Sequence, residues 1–191
     1  MIRSLIAALA LACSAFPAFA HQASTESSAF LAGFLHPLGG LDHLLAMITV
    51  GLWAALQGGR AIWVWPTAFV SAMLAGAVLG MTGIPLPFVE PGILASTVVL
   101  GACVAFSVRA PLSVGAALIA AFAIVHGHAH GAEAPALGSP AEFAIGFALA
   151  TAILHVAGLA LGVGAVQARI PAAVRATGAL AAAAGVSLIF G

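Results

Sequence analysis

Apolar residues dominate six stretches of the chain, and proline, glycine or charged residues separate each stretch from the next. An α-helix rises about 1.5 Å per residue, so a helix that crosses a bilayer needs roughly 20 apolar residues. The stretches that come near this length are residues 36–57, 61–82, 92–109, 111–130, 141–167 and 171–190. The pattern predicts an all-α membrane protein, a bundle of about six transmembrane helices forming one domain over residues 21–191.

The first 20 residues have the three parts of a secretory signal peptide. Arg3 is the basic part, an apolar run follows from Leu5 to Phe16, and residues 18–20 (Ala-Phe-Ala) supply a small-x-small cleavage site. Cleavage there makes His21 the first residue of the mature chain, where a free amine beside an imidazole could chelate a metal ion. A lipoprotein signal at Cys13 and an uncleaved first helix are the alternatives.

Charged residues indicate the orientation of the spans. The loops after the first, third and fifth spans hold the arginines that follow the signal peptide: Arg60, Arg109, Arg169 and Arg175. The opposite side holds four glutamates: Glu26, Glu90, Glu133 and Glu142. Basic residues favour the cytoplasmic side. The sequence therefore predicts a multi-pass protein of the bacterial inner membrane with a periplasmic mature N-terminus.

Composition narrows the classes of function. Hydrophobic residues make up 63% of the chain, charged residues 5%, and the mean hydropathy is +1.21. This leaves too little charge to solvate a globular surface, so the expected surroundings are a lipid bilayer. A formal net charge of zero argues against a nucleic-acid partner. The chain has no lysine, which excludes a Schiff-base cofactor, and its two cysteines form no disulfide framework.

Glycines recur at four-residue spacing in the predicted spans, as in Gly76 with Gly80 and Gly158 with Gly162. In lipid, small residues allow helix backbones to approach closely and supply much of the packing. The spacing predicts a tight bundle, and it leaves open whether some of these faces also form a homo-oligomer.

Imidazoles and carboxylates gather at the periplasmic end of two spans. The first span begins with His36, Asp42 and His43, and the fourth ends with His126, His128, His130 and Glu133. His155 lies near the middle of the fifth span. Placing an aspartate at the centre of a membrane helix costs roughly 2.5–3.5 kcal/mol, so such groups usually have a function. Nitrogen and oxygen ligands without thiolate favour borderline divalent metal ions.

The spacing of these residues suggests how they share an ion. His126 and His130 lie four residues apart on one helix face, whereas His128 points elsewhere. His36 and His43 would lie about 10 Å apart along a regular helix, unless residues 37–40 (Pro-Leu-Gly-Gly) bend. We therefore expect His36 and His43 at successive points of an ion path. Asp42 falls on a different face from His43 and is predicted to fix the tautomer of a histidine on another helix.

Each of these assignments has a simpler alternative. Asp42 could cap a helix beside interfacial histidines, and residues 126–133 could form an outer loop that binds metal loosely or binds none. His155 could make only a hydrogen bond within the bundle.

The stretch from His36 onward, HPLGGLDHLLAMITVGLWA, resembles the signature of the HupE/UreJ family, membrane accessory proteins of hydrogenase and urease systems. One family motif, a histidine followed after five residues by Asp-His, matches His36, Asp42 and His43. The other, a histidine-glycine pair followed by His-Gly-x-Glu, matches residues 126–133, with Val125 where an aromatic residue is common. The resemblance implies nickel handling, with cobalt as an alternative cargo. It makes His36, Asp42, His43, His130 and Glu133 the strongest candidates for the metal path.

Three functions fit these residues. The first is a secondary transporter or channel that admits a divalent transition metal, most readily nickel, for hydrogenase or urease maturation. The second is a metal-binding sensor or storage protein. The third is an intramembrane metalloenzyme, although the sequence has neither an H-E-x-x-H motif nor a nucleophile-and-base motif. The sequence also has no P-loop, so ATP-driven transport would need another subunit. We expect the first, a protein that is not an enzyme and has no bound cofactor.

Overall fold

The computed structural model describes residues 28–134 and 139–190. The predicted signal peptide, His21 and Glu26 lie outside the described residues. The described ranges contain helices as their regular elements: α1 (Ala29–Gly39), α2 (Leu41–Gln57), α3 (Ala61–Met81), α4 (Val89–Ala105), α5 (Leu112–Glu133), α6 (Pro140–Gln167) and α7 (Pro171–Phe190). The predicted all-α class is therefore confirmed for this part of the chain.

Four helices, α3, α5, α6 and α7, are long and apolar enough to cross a membrane, with 21, 22, 28 and 20 residues. The pair α1 and α2 adds a fifth crossing if its two bent parts form one span. Helix α4 is apolar but has only 17 residues. The described chain is thus a helical membrane protein with four or five membrane-capable elements, and six spans remain a prediction.

The predicted first span over residues 36–57 is divided into two helices by a break at Gly40. Helix α1 ends at Gly39, α2 begins at Leu41, and the two helices are bent by 82°. Gly40 has an extended backbone, φ −106° and ψ 122°. A Cβ added there would lie 2.8 Å from Asp42 Oδ1 and 2.9 Å from His43 Nδ1. The break confirms the bend considered for residues 37–40 and turns the start of α2 back towards α1.

Two other boundaries differ from the predicted ones. The third span was expected at 92–109, but α4 begins at Val89 and ends at Ala105. Phe88 (φ 59°) and Ser107 (φ 50°) adopt left-handed conformations beside these ends, and such residues do not continue a right-handed helix. Helix α5 continues past the predicted residue 130 to Glu133, which places that carboxylate one turn beyond His130.

Helices α3 and α5 run parallel and touch backbone to backbone through glycines. A Cβ added at Gly127 would overlap the carbonyl of Met73, and one at Gly131 would overlap the carbonyl of Ala77. The predicted close packing through Gly76 and Gly80 is confirmed, since Cβ atoms there would overlap the backbone of α5. Helices α2 and α6 meet similarly through Gly51 and Gly158. These glycines therefore pack against other helices of the same chain.

The arginines lie at one end of the bundle, which we call the arginine end. There Arg109 donates to the carbonyl of Gln57 (3.0 Å) and Arg175 donates to that of Ala105 (2.9 Å). Trp65 of α3 is fully buried near this end. Its indole packs on Trp53 with ring centroids 4.4 Å apart and donates to the carbonyl of Leu112 (3.0 Å). The start of α2 and the end of α5 lie at the opposite, histidine end.

Candidate metal site

Four imidazoles from three helices meet at the histidine end. His36 lies in the last turn of α1, His43 in the first turn of α2, and His126 and His130 on one buried face of α5. Ring centroids lie 4.5 Å apart for His36–His130, 4.6 Å for His43–His130 and 5.0 Å for His43–His126. The predicted shared face of His126 and His130 is confirmed, and His130 lies between the other rings.

These side chains form two groups that could each hold a metal ion, and His130 belongs to both. One group is His43, His126 and His130, and the other is His36, His130 and Glu133. Within each group the ligand atoms lie within 4.8 Å of one another. Two nitrogens bound at 2.0–2.1 Å to one ion lie at most about 4.2 Å apart. Three ligands of one tetrahedral ion lie about 3.4 Å apart, so shifts of about 1 Å or less would bring either group to binding distances.

The solvent exposure of the side chains decreases from the group that contains Glu133 to the group that contains His126. The Glu133 side chain is 60% exposed, His36 35%, His43 12% and His130 5%. His126 is completely buried. A cation approaching from the histidine end would therefore meet the carboxylate and His36 first and the three-imidazole group last.

Asp42 hydrogen-bonds its own neighbour, His43, and this contradicts the prediction that it serves another helix. Its Oδ1 accepts from His43 Nδ1 at 2.8 Å. The prediction assumed a regular helix, in which adjacent side chains diverge, but both residues lie in the first turn after the Gly40 break. Thr97 of α4 donates to the backbone carbonyl of Asp42 (3.1 Å) and holds this turn against the bundle. The bond occupies Nδ1 of His43, while Nε2 is buried and has no partner among the described residues.

His126 has a polar contact that the sequence did not indicate. Its Nε2 lies 2.8 Å from Oγ of Ser96, a fully buried residue of α4. Its Nδ1 has no hydrogen-bond partner in the described part of the chain, and neither has either nitrogen of His130. A buried polar group without a partner lowers the stability of the fold by about 1–3 kcal/mol. Several unpaired nitrogens in one place are therefore expected to bind a ligand such as a metal ion.

The remaining predicted residues lie apart from both groups. His128 points away, as expected, and its Nε2 bonds to the carbonyl of Ile84 (2.7 Å). His155 is buried in α6, where its ring packs on Phe69 with centroids 4.9 Å apart. Phe69 also faces His126, at 5.8 Å between centroids.

Two phenylalanines of α6 form an apolar wall that periodicity alone did not single out. Phe143 and Phe147 pack on His36 with ring centroids 5.7 and 5.9 Å away, and Phe147 packs on His130 at 4.3 Å. Such walls limit the access of water to a metal site and strengthen electrostatic interactions there. The wall depends on α1 packing along α6, where a Cβ at Gly33 would overlap the carbonyl of Phe143.

The chain matches a known protein family over most of its length. The profile described as "HupE / UreJ protein" matches residues 9–188. The chain belongs to the HupE/UreJ family. Protein HupE of Rhizobium leguminosarum bv. viciae is 45% identical over 161 residues, which cover 84% of this chain and 82% of that protein. No solved structure matches the chain. HupE/UreJ proteins are accessory membrane proteins of the hydrogenase and urease systems, and are permease-like towards nickel or cobalt.

Proposed function

We propose that this HupE/UreJ protein is a permease that admits Ni²⁺, with Co²⁺ as an alternative cargo, from the periplasm for hydrogenase or urease maturation. The observation that carries the proposal is that His130 belongs to two metal-ligand groups of different accessibility. We call His36, His130 and Glu133 the outer group, and His43, His126 and His130 the inner group. An ion can pass from the outer group to the inner group while it remains bound to His130.

The ligand types suit such a transfer. The outer group contains the Glu133 carboxylate, whose negative charge attracts a hydrated cation. The inner group contains only imidazoles, which bind nickel, copper and zinc well. His36 and His43 belong to different groups, with ring centroids 6.3 Å apart, in accordance with their expected roles at successive points of the path.

His155 is the next ligand in the proposed path. Both of its nitrogens are buried without a partner in the described ranges. Phe69 contacts the rings of both His126 and His155, so its side chain separates the inner group from the middle of α6. Rotation of this ring would let an ion move from His126 to His155 and then towards the arginine end.

The proposed topology has six spans, in which the bent pair α1–α2 is the first and α4 the third. Placing the arginine end in the cytoplasm satisfies the preference of basic residues for that side. The histidine end then faces the periplasm of the inner membrane, as does the mature N-terminus, where His21 could add a further metal ligand.

A protein that binds nickel without transporting it, as a sensor or store, is the second candidate. It is favoured by the packing at the arginine end, where the buried indoles of Trp53 and Trp65 contact each other. The metalloenzyme has no comparable support, since the family consists of accessory and transport proteins.

Proteoliposomes distinguish the two candidates. The purified protein should carry Ni²⁺ into vesicles, and parallel assays with Co²⁺ and Zn²⁺, with and without a proton gradient, give selectivity and coupling. His130→Ala should abolish uptake, whereas His128→Ala, on the same helix but outside both groups, should retain it. Tight nickel binding by calorimetry without flux would favour the sensor or store. Full uptake by His130→Ala would refute the shared-ligand path.

A further inference from the structure

Ser96 joins the backbone of α4 to an imidazole of the inner metal group. Its Oγ lies 2.6 Å from the carbonyl oxygen of Ile93 and 2.8 Å from Nε2 of His126. Both Ser96 and His126 are fully buried. We propose that Ser96 is a positioning residue that holds His126 as the tautomer with its proton on Nε2, and so keeps the Nδ1 lone pair free for the metal ion.

The two contacts of Ser96 decide where the protons lie. A hydroxyl has one hydrogen to donate, while a carbonyl oxygen can only accept. If the Ser96 hydrogen pointed at His126, two oxygen atoms with lone pairs would face each other at 2.6 Å without a proton between them. The hydroxyl therefore donates to Ile93 and accepts from His126, which requires a hydrogen on Nε2.

A neutral imidazole carries one N–H and one lone pair, so fixing the first fixes the second. With Nε2 protonated, His126 has its lone pair on Nδ1, the buried nitrogen that has no partner among the described residues. The other tautomer would place a hydrogen on Nδ1, where an N–H cannot bind a cation. Ser96 thus decides whether His126 is a ligand.

Asp42 acts on His43 in the same way but from the other nitrogen. Its carboxylate accepts from Nδ1 and leaves the lone pair on Nε2. In the inner group His43 would therefore bind an ion through Nε2, and His126 would bind it through Nδ1. His130 has no such partner in the described ranges. This suits a residue that binds an ion first in the outer group and then in the inner group.

This inference rests on the proposed function for its consequence, but the tautomer itself can be measured without metal. Nitrogen-15 spectra of histidine-labelled protein distinguish protonated from unprotonated ring nitrogens, and the signals lost in His126→Gln assign this residue. We expect a single Nε2–H form in the wild type and a mixture in Ser96→Ala, which removes only the hydroxyl oxygen. Nickel affinity by calorimetry should fall about 10–100-fold, as is usual when a partner of a metal ligand is removed.

Two further variants separate positioning from packing. Ser96→Thr keeps the hydroxyl and should retain both the single tautomer and the affinity. Thr49→Val removes another buried hydroxyl, one that donates only to carbonyls of its own helix, and should change neither measurement. A wild-type His126 with its proton on Nδ1, or an unchanged tautomer in Ser96→Ala, would overturn the role of Ser96. A wild-type protein that binds no nickel would overturn the proposed function and leave the tautomer result standing.

Discussion

His36 and His43 lie seven residues apart in the chain, yet their imidazole centroids are only 6.3 Å apart and both rings pack on His130. Seven residues of regular helix would separate them by about 10 Å along the axis. The difference arises from the break at Gly40, where α1 and α2 are bent by 82°. The site therefore depends on a backbone feature as much as on its ligands.

Replacing Gly40 should damage the site without removing any ligand. In Gly40→Ala the new methyl group would approach Asp42 Oδ1 and His43 Nδ1 to 2.8 and 2.9 Å, closer than a Cβ tolerates. We expect nickel uptake into proteoliposomes to fall at least about tenfold, because the Asp42 and His43 side chains must move by tenths of an ångström or more from their positions in the site. Gly39→Ala is the matched control, since a Cβ there meets no described atom within 4 Å. Equal uptake by the two variants would contradict the role of the bend.

The sequence predicted the ligands better than their mutual contacts. Histidines and carboxylates inside apolar spans are conspicuous, so His36, His43, His126, His130 and Glu133 could all be named from spacing and resemblance. The pairing of Asp42 with His43 could not be predicted, because the assumption of a regular helix placed the two side chains on different faces. Helix periodicity carries no information about a break at a single extended residue such as Gly40.

Ser96 shows a second limit of sequence reasoning. A serine in an apolar helix most often bonds to its own backbone, and Ser96 does so with Ile93. Its contact with His126, 30 residues away, exists only because α4 packs beside α5. The glycine spacing, by contrast, predicted close backbone packing correctly at Gly76 and Gly80, since small residues at helix contacts follow directly from the physics of packing in lipid.

Gly127 lies between the two inner-group histidines of α5, and its replacement should destabilise the bundle. A methyl group at Gly127 would overlap the carbonyl of Met73, which is backbone and cannot turn aside. We expect Gly127→Ala to lower the free energy of unfolding by about 1–3 kcal/mol, the usual range for overpacking. Thermal unfolding in detergent would measure this. Gly164→Ala, at an exposed helical site where a Cβ meets no described atom, should be neutral or stabilising, and a comparable loss in both variants would refute the packing argument.

Asp42 should contribute to nickel affinity through His43. Asp42→Ala removes the acceptor at 2.8 Å from Nδ1, so the imidazole is free to place its proton on either nitrogen and to rotate. We expect the affinity measured by calorimetry to fall about 10–100-fold. Glu142→Ala is the control, since this exposed carboxylate lies in the first turn of α6 at the same end of the bundle. A loss of equal size in both variants would indicate a general effect of negative charge and not the bond to His43.

His155 offers a test that separates transport from both binding and folding. In His155→Leu an apolar side chain replaces an imidazole whose two nitrogens are buried without partners in the described ranges. Removing such unpaired groups is expected to leave the folded state as stable as before or to stabilise it. If His155 serves the ion path beyond Phe69, the variant should retain nickel binding at the histidine end and lose uptake into proteoliposomes.

If His155 serves only packing, the opposite result is expected. Nickel uptake by His155→Leu should then fall only if the thermal stability of the variant falls as well. Phe69→Leu complements this test, because it keeps an apolar side chain but removes the ring that contacts both His126 and His155. If that ring is the barrier between the inner group and His155, its loss should weaken selectivity for nickel over zinc while flux persists. Wild-type flux and selectivity in both variants would place the path elsewhere in the bundle.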